Sequence, residues 1–133
     1  MAMESSKKPF TYRGKSLDEL KTLNVREFAK YLKSRPRRVA LRQFQDIEDF
    51  VSRAKKKIEN NKQIKTHKRD LIIVPNLIGL KISIYNGHEF IPVDIAKEMI
   101  GHRLGEFAPT RTKVKHSGSG VGATKGSKAK AKK

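Results

Sequence analysis

The central stretch of the chain, Lys65 to Arg111, is apolar and nearly neutral, whereas the residues on both sides of it are strongly basic. Between Asp70 and Glu106 there are five acids and three bases, although the whole chain has 31 lysines and arginines against 13 acids. A packed core therefore has to form at the centre, with the positive charge arranged around it. A scaffold that carries basic segments is typical of proteins that bind a polyanion, most often a nucleic acid.

Length and composition exclude several other classes of protein. A chain of 133 residues has room for one domain with a modest core. Its net charge of +18 favours phosphate backbones, because binding releases their counterions. The absence of cysteine excludes disulfides and thiolate metal sites. Apolar runs such as Leu71 to Val74 are far shorter than the roughly 20 residues of a membrane span. The N-terminus lacks the apolar segment of a secretory signal, so we expect a cytoplasmic protein.

Three helices are predicted in the N-terminal half. Ser16, with Glu19 three residues later, forms a capping box that starts the first helix. The second helix begins near Asn24 and has to end before Pro36. Gln45 to Asn60 gives the clearest signal, because its apolar residues recur at the spacing of one helical face. That apolar face requires a partner surface, which a sheet later in the chain can supply.

A small, mainly antiparallel sheet of three strands is predicted next. Leu71 to Val74 is a continuous apolar run, as expected for a strand buried on both faces. In the second strand, Leu80 to Tyr85, inward apolar residues alternate with outward ones. The third strand, His88 to Val93, contains Pro92, which lacks a donor for the ladder and therefore places this strand at an edge.

Turn signals connect these elements. Asn86 and Gly87 tolerate the positive φ angles of a type I′ hairpin turn. Asp94 is expected to cap a short helix that Gly101 ends. We therefore predict a single α+β RNA-binding domain at residues 16–110, in which helices at 16–60 pack on a sheet and a short helix at 65–107.

The two ends of the chain are predicted to be basic, disordered extensions. In the N-terminal arm, residues 1–15, the rings of Phe10 and Tyr12 either pack on the chain's own domain or lie along a nucleic acid. Both alternatives remain open. After Pro109 the sequence has eight bases, no acids and few apolar residues, so residues 111–133 are predicted to form a flexible tail that becomes ordered on a binding surface.

Two basic clusters are candidates for phosphate contacts. The first surrounds Pro36 and consists of Arg35, Arg37, Arg38 and Arg42. These arginines either grip phosphates through their guanidinium groups or form an ordinary solvated face. The second cluster, Lys65 to Arg69, leads directly into a predicted strand. It is either a solvated loop or a fixed contact in which the ring of His67 meets a base.

No motif carries a catalytic or metal-binding pattern together with its structural context. Gly118 to Ala123 has the spacing of a dinucleotide-binding turn, but a basic tail follows it where a helix is needed. Glu98 and His102 are four residues apart and lack a third metal ligand. The scattered serines and histidines have no nucleophile elbow. We therefore predict that the protein is not an enzyme and uses neither a cofactor nor a metal.

Several motifs resemble those of the universal small-subunit ribosomal protein nineteen family. The matching residues are Asn86-Gly87-His88, Ile95, Ile100-Gly101, Leu104-Gly105-Glu106-Phe107 and Thr110. The preceding block KTHKRDLIIVPNLIGLKISIYNG and the N-terminal FTYRG resemble the archaeal and eukaryotic branch of that family. The likeness runs from Phe10 to about Thr124. The chain departs from the branch at Ser119, where a proline is usual, and in its KAKAKK end.

The resemblance implies a structural protein in the head of the small ribosomal subunit, in the cytoplasm, bound to the 3′ domain of the small-subunit ribosomal RNA. It implies support for assembly, contacts with ribosomal protein thirteen and with the large subunit, and a tail directed towards transfer RNA near the decoding site. It implies no catalysis, no membrane and no small-molecule substrate. The RNA-facing residues that it implies are Lys65, Thr66, His67, Lys68, Arg69, Asn86, Gly87, His88, His102, Arg103, Pro109, Thr110, Arg111, Lys113, Lys115 and His116.

Two other functions are open on composition alone. A chromatin-like DNA-binding protein would explain the charge. A basic amphipathic membrane binder would use the Gln45 to Asn60 helix. The resemblance favours neither of them.

Overall fold

The fold is known from a computed structural model that describes residues 8–126. The predicted disorder of the first residues of the N-terminal arm, and of the KAKAKK end, concerns residues 1–7 and 127–133. These lie outside the described residues.

A small hairpin opens the described chain. Strands β1 (Thr11–Tyr12) and β2 (Lys15–Ser16) pair antiparallel. Between them, Arg13 and Gly14 have φ angles of 52° and 77°, and two positive values in succession match the twist of a tight hairpin. The ring centroid of Tyr12 lies 6.2 Å from that of Phe28. Of the two alternatives for the ring of Tyr12, packing on the chain's own domain is therefore the one observed, and a disordered extension is wrong for residues 11–16.

Four helices follow the hairpin. They are α1 (Leu17–Lys21), α2 (Val25–Ala29), α3 (Ser34–Arg42) and α4 (Phe44–Glu59). The Oγ atom of Ser16 accepts a hydrogen bond of 3.4 Å from the Glu19 amide, and the Asn24 amide donates one of 3.2 Å to Glu27. These contacts start α1 and α2 as their capping signals predict. Helix α4 confirms the predicted Gln45 to Asn60 helix to within one residue at each end.

Helix α3 was not predicted, because Pro36 was interpreted as a barrier to helix formation. Pro36 instead occupies the third position of α3. In the first turn of a helix a backbone N–H has no partner within the helix, so proline costs little there. The chain turns between α2 and α3, and the side chain of Arg37 holds that turn together. Its guanidinium donates to the carbonyls of Ala29, Lys30 and Leu32 at 3.1, 3.0 and 3.0 Å.

We expect Arg37→Ala to lower the free energy of unfolding by about 1 to 3 kcal/mol, because it removes charge-assisted hydrogen bonds to the end of α2. Arg38→Ala is the matched control, since Arg38 is exposed like Arg37 and its loss removes the same charge without removing those three hydrogen bonds. Urea unfolding followed by circular dichroism measures both. Equal stability of the two variants would contradict a capping role for Arg37.

The main sheet has three strands and mixed topology. Its strands are β3 (Ile64–Thr66), β4 (Lys81–Tyr85) and β5 (Phe90–Asp94), in the order β3-β4-β5. Strand β3 pairs parallel with β4, and β5 pairs antiparallel with it. The sequence predicts three strands with mainly antiparallel pairing. Three strands are present, but the first is a different segment, and one of the two pairs is parallel. The edge position expected for the strand containing Pro92 is confirmed.

The apolar run Leu71 to Val74 is completely buried, as predicted, but it is not a strand of this sheet. It pairs instead with the segment around Arg103, through a bridge at Ile72. The amide of Ile73 donates to the carbonyl of His102 at 2.8 Å, and the amide of Leu104 donates to that of Leu71 at 3.0 Å. A buried backbone needs such partners, and here they come from a distant segment.

The predicted two-residue turn is also replaced by a longer loop. Residues 86–89 connect β4 to β5, and of Asn86 and Gly87 only the glycine has a positive φ, at 100°. The Asn86 side chain accepts hydrogen bonds from the amides of His88 and Glu89 at 2.8 and 2.7 Å. An asparagine that bonds to its own loop in this way removes the need for a type I′ turn.

The chain also forms three short 3₁₀ helices, one between β3 and β4 at Pro75–Leu77 and two after β5, at Lys97–Met99 and Leu104–Phe107. Asp94 ends β5 and caps nothing, because Ala96 stands at the start of the second of these helices. Gly101 follows that helix with a φ of 81°. The positive φ favours glycine, and a Cβ atom there would also crowd the side chains of Leu32 and Tyr12, at 3.1 Å from a Leu32 methyl and 3.2 Å from the Tyr12 hydroxyl.

One contiguous core joins the helices to the inner face of the sheet. Its largest members with almost no solvent exposure include Leu20, Phe28, Ile47, Ile82 and Ile84. The predicted α+β class, with N-terminal helices packed against a sheet of three strands, is confirmed. Among residues 8–126, no helix is both long enough and apolar enough to cross a membrane.

Candidate nucleic-acid interface

The side chain of Arg69 joins three segments that are distant in the sequence. One guanidinium nitrogen donates to the carbonyl of Tyr85 at 2.7 Å, and the other donates to those of Gly105 and Ala108 at 2.8 and 2.6 Å. Tyr85 stands at the start of the hairpin loop, and Ala108 stands where the chain leaves the core. The Lys65 to Arg69 cluster, the loop and the C-terminal exit therefore meet at one point, which we call the Arg69 joint.

Gly105 allows the close approach at this joint. Its amide donates to the Arg69 carbonyl at 2.8 Å. A Cβ atom at this position would lie 3.0 Å from both the Cβ and the carbonyl oxygen of Arg69. Any larger residue would therefore push the two backbones apart.

The outward face of the sheet carries a cluster of three rings. The β3–β4–β5 register places Lys65 opposite Ser83, and Tyr85 opposite Phe90. Their side chains point away from the core, because the alternate residues Ile82 and Ile84 are buried.

His67 extends this row of outward residues. Its ring centroid lies 4.6 Å from that of Tyr85 and 5.0 Å from that of Phe90, and the latter two are 5.1 Å apart. The Lys65 ammonium lies 5.4 Å from the Phe90 centroid.

A basic groove lies beside these rings, between α4 and β3. It has a volume of about 310 Å³, and its floor includes Phe50, Ala54 and Ile64. Its polar lining consists of Arg53, Lys57, Lys65, Thr66, His67 and Lys68. Four of these residues are cationic, and no lining residue is acidic. One acid lies nearby, because the Lys68 ammonium is 2.7 Å from a carboxylate oxygen of Asp46.

Several predicted contact residues have partners inside the protein. Arg69, which is half-buried, and Arg37, which is exposed, both donate to backbone carbonyls, as described above. Thr66 is buried and accepts a hydrogen bond of 3.1 Å from the Lys68 amide, and the Asn86 carboxamide organises its own loop. The structure thus gives each of these side chains a role in shaping the surface.

The other predicted residues lie at the surface. His102 sits 2.7 Å from Glu106, with its ring edge 5.9 Å from the ring of Phe107, and Arg103 is half-buried. Exposed residues are Arg35, Arg38, Arg42, Lys65, His67, Gly87, His88, Pro109, Thr110, Arg111, Lys113, Lys115 and His116. The arginines of α3 belong to the helical layer, where α3 packs on α2 and α4, and not to the outward face of the sheet.

Tyr85, Phe90, Arg53 and Lys57 belong to this surface but are not among the contact residues that the sequence predicts. The alternation of apolar residues in β4 already indicates that Tyr85 faces outward. The strand register that sets Phe90 beside it, and the pairing of β3 with β4, carry no local signal. Without that pairing, α4 and the Lys65 to Arg69 cluster cannot be assigned to the same groove.

The described structure gives little support to a metal site or to a dinucleotide-binding turn. Within residues 8–126, no group of three histidines, cysteines, aspartates or glutamates is close enough to hold a metal ion. His102 is paired with Glu106 and not with Glu98. The Gly118 to Ala123 segment is largely exposed, and no strand lies between Ala108 and Gly120 to support a dinucleotide turn.

A small α+β domain with basic segments fixed around one joint, and with no catalytic constellation in the described chain, is typical of structural nucleic-acid-binding proteins. The chain belongs to the ribosomal protein S19 family, whose profile matches residues 32–116. This family consists of structural ribosomal proteins and not of enzymes. The resemblance found in the sequence, and the prediction that the protein is not an enzyme, are therefore confirmed.

Two relatives show how far the similarity extends. A protein of Picrophilus torridus named small ribosomal subunit protein uS19 is 46% identical over 127 residues, which cover 96% of this chain and 83% of the relative. A protein of Saccharolobus solfataricus with the same name is 47% identical over 124 residues, which cover 90% of this chain and 89% of the relative. The similarity thus includes the N-terminal helices as well as the central stretch.

Proposed function

We propose that this protein is a structural constituent of the small ribosomal subunit and that it binds ribosomal RNA there, in the cytoplasm. Family membership supports the ribosomal role. The observation that carries the RNA-binding part is the Arg69 joint, because one partly buried guanidinium fixes three segments with exposed polar or basic side chains relative to one another. Side chains on a fixed backbone lose less conformational entropy on binding than those on a free chain.

Two kinds of residue contribute to RNA binding, one by contacting phosphates and the other by holding the backbone in place. Exposed cations around the joint, among them Lys65 and Arg111, neutralise phosphates and release counterions. Arg69 and Asn86 instead hold the backbone that carries the exposed side chains. Contacts of this kind fix position and orientation, and they do not read a base sequence.

The finer assignment follows the resemblance. We place the protein in the head of the subunit, on the 3′ domain of the small-subunit RNA, where it supports assembly. Ribosomal protein thirteen is its neighbour, and the large subunit lies across the inter-subunit face. The tail, from Pro109 onward, is exposed in its described part and starts beside the joint, which suits a segment that reaches away towards transfer RNA.

The apolar surface that the membrane-binding alternative requires is not accessible in this fold. Ile47, Phe50, Val51 and Ala54 form the apolar face of α4, and all four are buried in the core. An interfacial helix needs that face free for lipid. The DNA-binding alternative has only the charge in its favour, and the family does not support it.

Sedimentation of cell extract in low and then in high salt tests this proposal. We expect the protein to sediment with small subunits and to remain with them at moderate salt, because several segments bind at once. Brief ribonuclease treatment is the control and should release it. Recovery mainly with DNA or with membranes would contradict the proposal.

A further inference from the structure

The rings of His67, Tyr85 and Phe90 form a fixed cluster on the outward face of the sheet. On that face the ring contacts add little to the stability of the core. Their centroids lie within 5.1 Å of one another. The Tyr85 hydroxyl donates to the carbonyl of Gly87 at 3.1 Å, which holds that ring against the hairpin loop. His67 is the exposed member of the cluster. Three rings inclined to one another by 51° to 78° are therefore held in place at the edge of the sheet, and the exposed one, His67, offers its ring to solvent.

The basic groove begins at this same ring. Lys65 and His67 line the groove, and both also contact the ring cluster. Arg53 and Lys57 face them from α4. The ring cluster and the cationic lining of the groove are thus adjacent, just as the base and the phosphate of one nucleotide are adjacent. Neither feature alone would indicate a ligand, because exposed rings and solvated lysines are both common.

We infer that this surface binds an unpaired stretch of RNA, with one base stacked on His67 and the adjoining phosphates in the groove between α4 and β3. This inference rests on the proposed function and names the part of the RNA that the sheet receives. Aromatic side chains beside a basic groove are the means by which proteins hold single strands, since every base has a face to stack. In a duplex the bases are paired and stacked inside the helix, so no base is free to stack on these rings.

Fluorescence anisotropy with the full-length protein tests this inference. One probe is a labelled, unstructured RNA of about 12 nucleotides, a length within the site sizes of single-strand-binding proteins, and the other is a blunt-ended RNA duplex of similar charge, which has no unpaired base. His67→Ala should weaken binding of the unstructured probe by roughly 5- to 150-fold, the range for loss of one stacked base. His67→Phe should restore most of that loss, because it keeps a ring. Neither change should alter binding of the duplex by more than about twofold.

A charge-matched pair of variants tests the groove. Lys57→Gln with Lys65→Gln removes two lining cations, whereas Lys55→Gln with Lys56→Gln removes two exposed cations of α4 that lie outside the groove. For the unstructured probe, the first pair should reduce the slope of log affinity against log salt by about 1.4, or about 0.7 for each phosphate that is no longer neutralised. The second pair should leave that slope nearly unchanged.

Three results would overturn the inference: wild-type affinity of His67→Ala, equal effects of the two lysine pairs, or equal losses on both probes. Circular dichroism confirms that each variant is folded, which is the expected state because the substituted residues are exposed, except for Lys57, which is half-buried. The sedimentation experiment separates this inference from the proposed function. If the wild-type protein sediments with small subunits while His67→Ala binds the unstructured probe normally, only the inference fails. If the wild-type protein is not recovered with subunits, the proposed function itself fails.

Discussion

Replacing Arg69 with methionine should lower the free energy of unfolding by about 3 to 5 kcal/mol. The substitution keeps most of the aliphatic stem but removes the three hydrogen bonds to the carbonyls of Tyr85, Gly105 and Ala108. Bonds to a charged donor contribute about 1.5 to 3 kcal/mol each, and a buried carbonyl left without a partner adds a further cost. Domains of this size are stable by only about 5 to 15 kcal/mol, so the loss is a large fraction of the total.

Two further variants make this prediction specific. Arg69→Lys keeps the charge but should still lose much of the stability, because one compact ammonium cannot match a planar fork that reaches three carbonyls. Arg111→Met removes an exposed arginine and should leave the unfolding midpoint nearly unchanged. Urea titrations followed by circular dichroism provide the measurement. If Arg69→Met unfolds at the same urea concentration as Arg111→Met, the joint does not stabilise the fold.

Removing residues 113–133 should greatly weaken RNA binding while leaving the domain folded. The deleted segment contains seven lysines and no acid. The last residue of the core is Ala108, and residues 109–121 are exposed. If most of these lysines meet phosphates, the slope of log affinity against log salt should fall by about 4 to 6, which corresponds to an affinity loss of several orders of magnitude at low salt.

The measurement is anisotropy with a fragment of the 3′ domain of the small-subunit RNA, at several potassium chloride concentrations. A full-length variant with residues 113–133 in scrambled order is the control, and it should keep most of the salt slope if charge is what matters. Loss of cooperative unfolding in the truncated protein would show that the tail belongs to the core. An unchanged slope would show that the tail does not touch the RNA.

Local signals account for the elements that the sequence predicted well. The capping residues Ser16 and Asn24 start helices where expected, and the apolar periodicity of α4 fixes its extent. Pro92 marks an edge strand, because its missing donor is a local property. Each of these features depends on residues within about one helical turn or one strand of each other.

The elements that were missed depend on distant partners. Strand β3 has only three residues, including Lys65 and Thr66, and nothing in that segment indicates pairing with a strand that begins only at Lys81. The Leu71 to Val74 run has the composition of a buried strand, but the partner that it finds comes from much further along the chain, at His102 to Leu104. Composition predicted burial correctly and could not predict the partner.

The candidate site, like the fold, could be predicted from the sequence only in part. The three segments that the resemblance implied as RNA-facing, at Lys65 to Arg69, Asn86 to His88 and the C-terminal exit, do converge in space. Their RNA contacts remain predictions. The sequence does not show that the side chain of Arg69 holds these segments together. No local pattern distinguishes a basic residue that points inward from the exposed members of the same basic cluster.

The pairing of Leu71 to Val74 with residues 101–104 has a consequence for how the protein is made. During synthesis these four apolar residues emerge well before His102 and Leu104, which supply their backbone partners. Until the later segment is available, this fully apolar segment of the nascent chain has no hydrogen-bonding neighbour for its backbone. The centre of the core therefore closes late, and the last segment to be added before the tail is the one that completes folding.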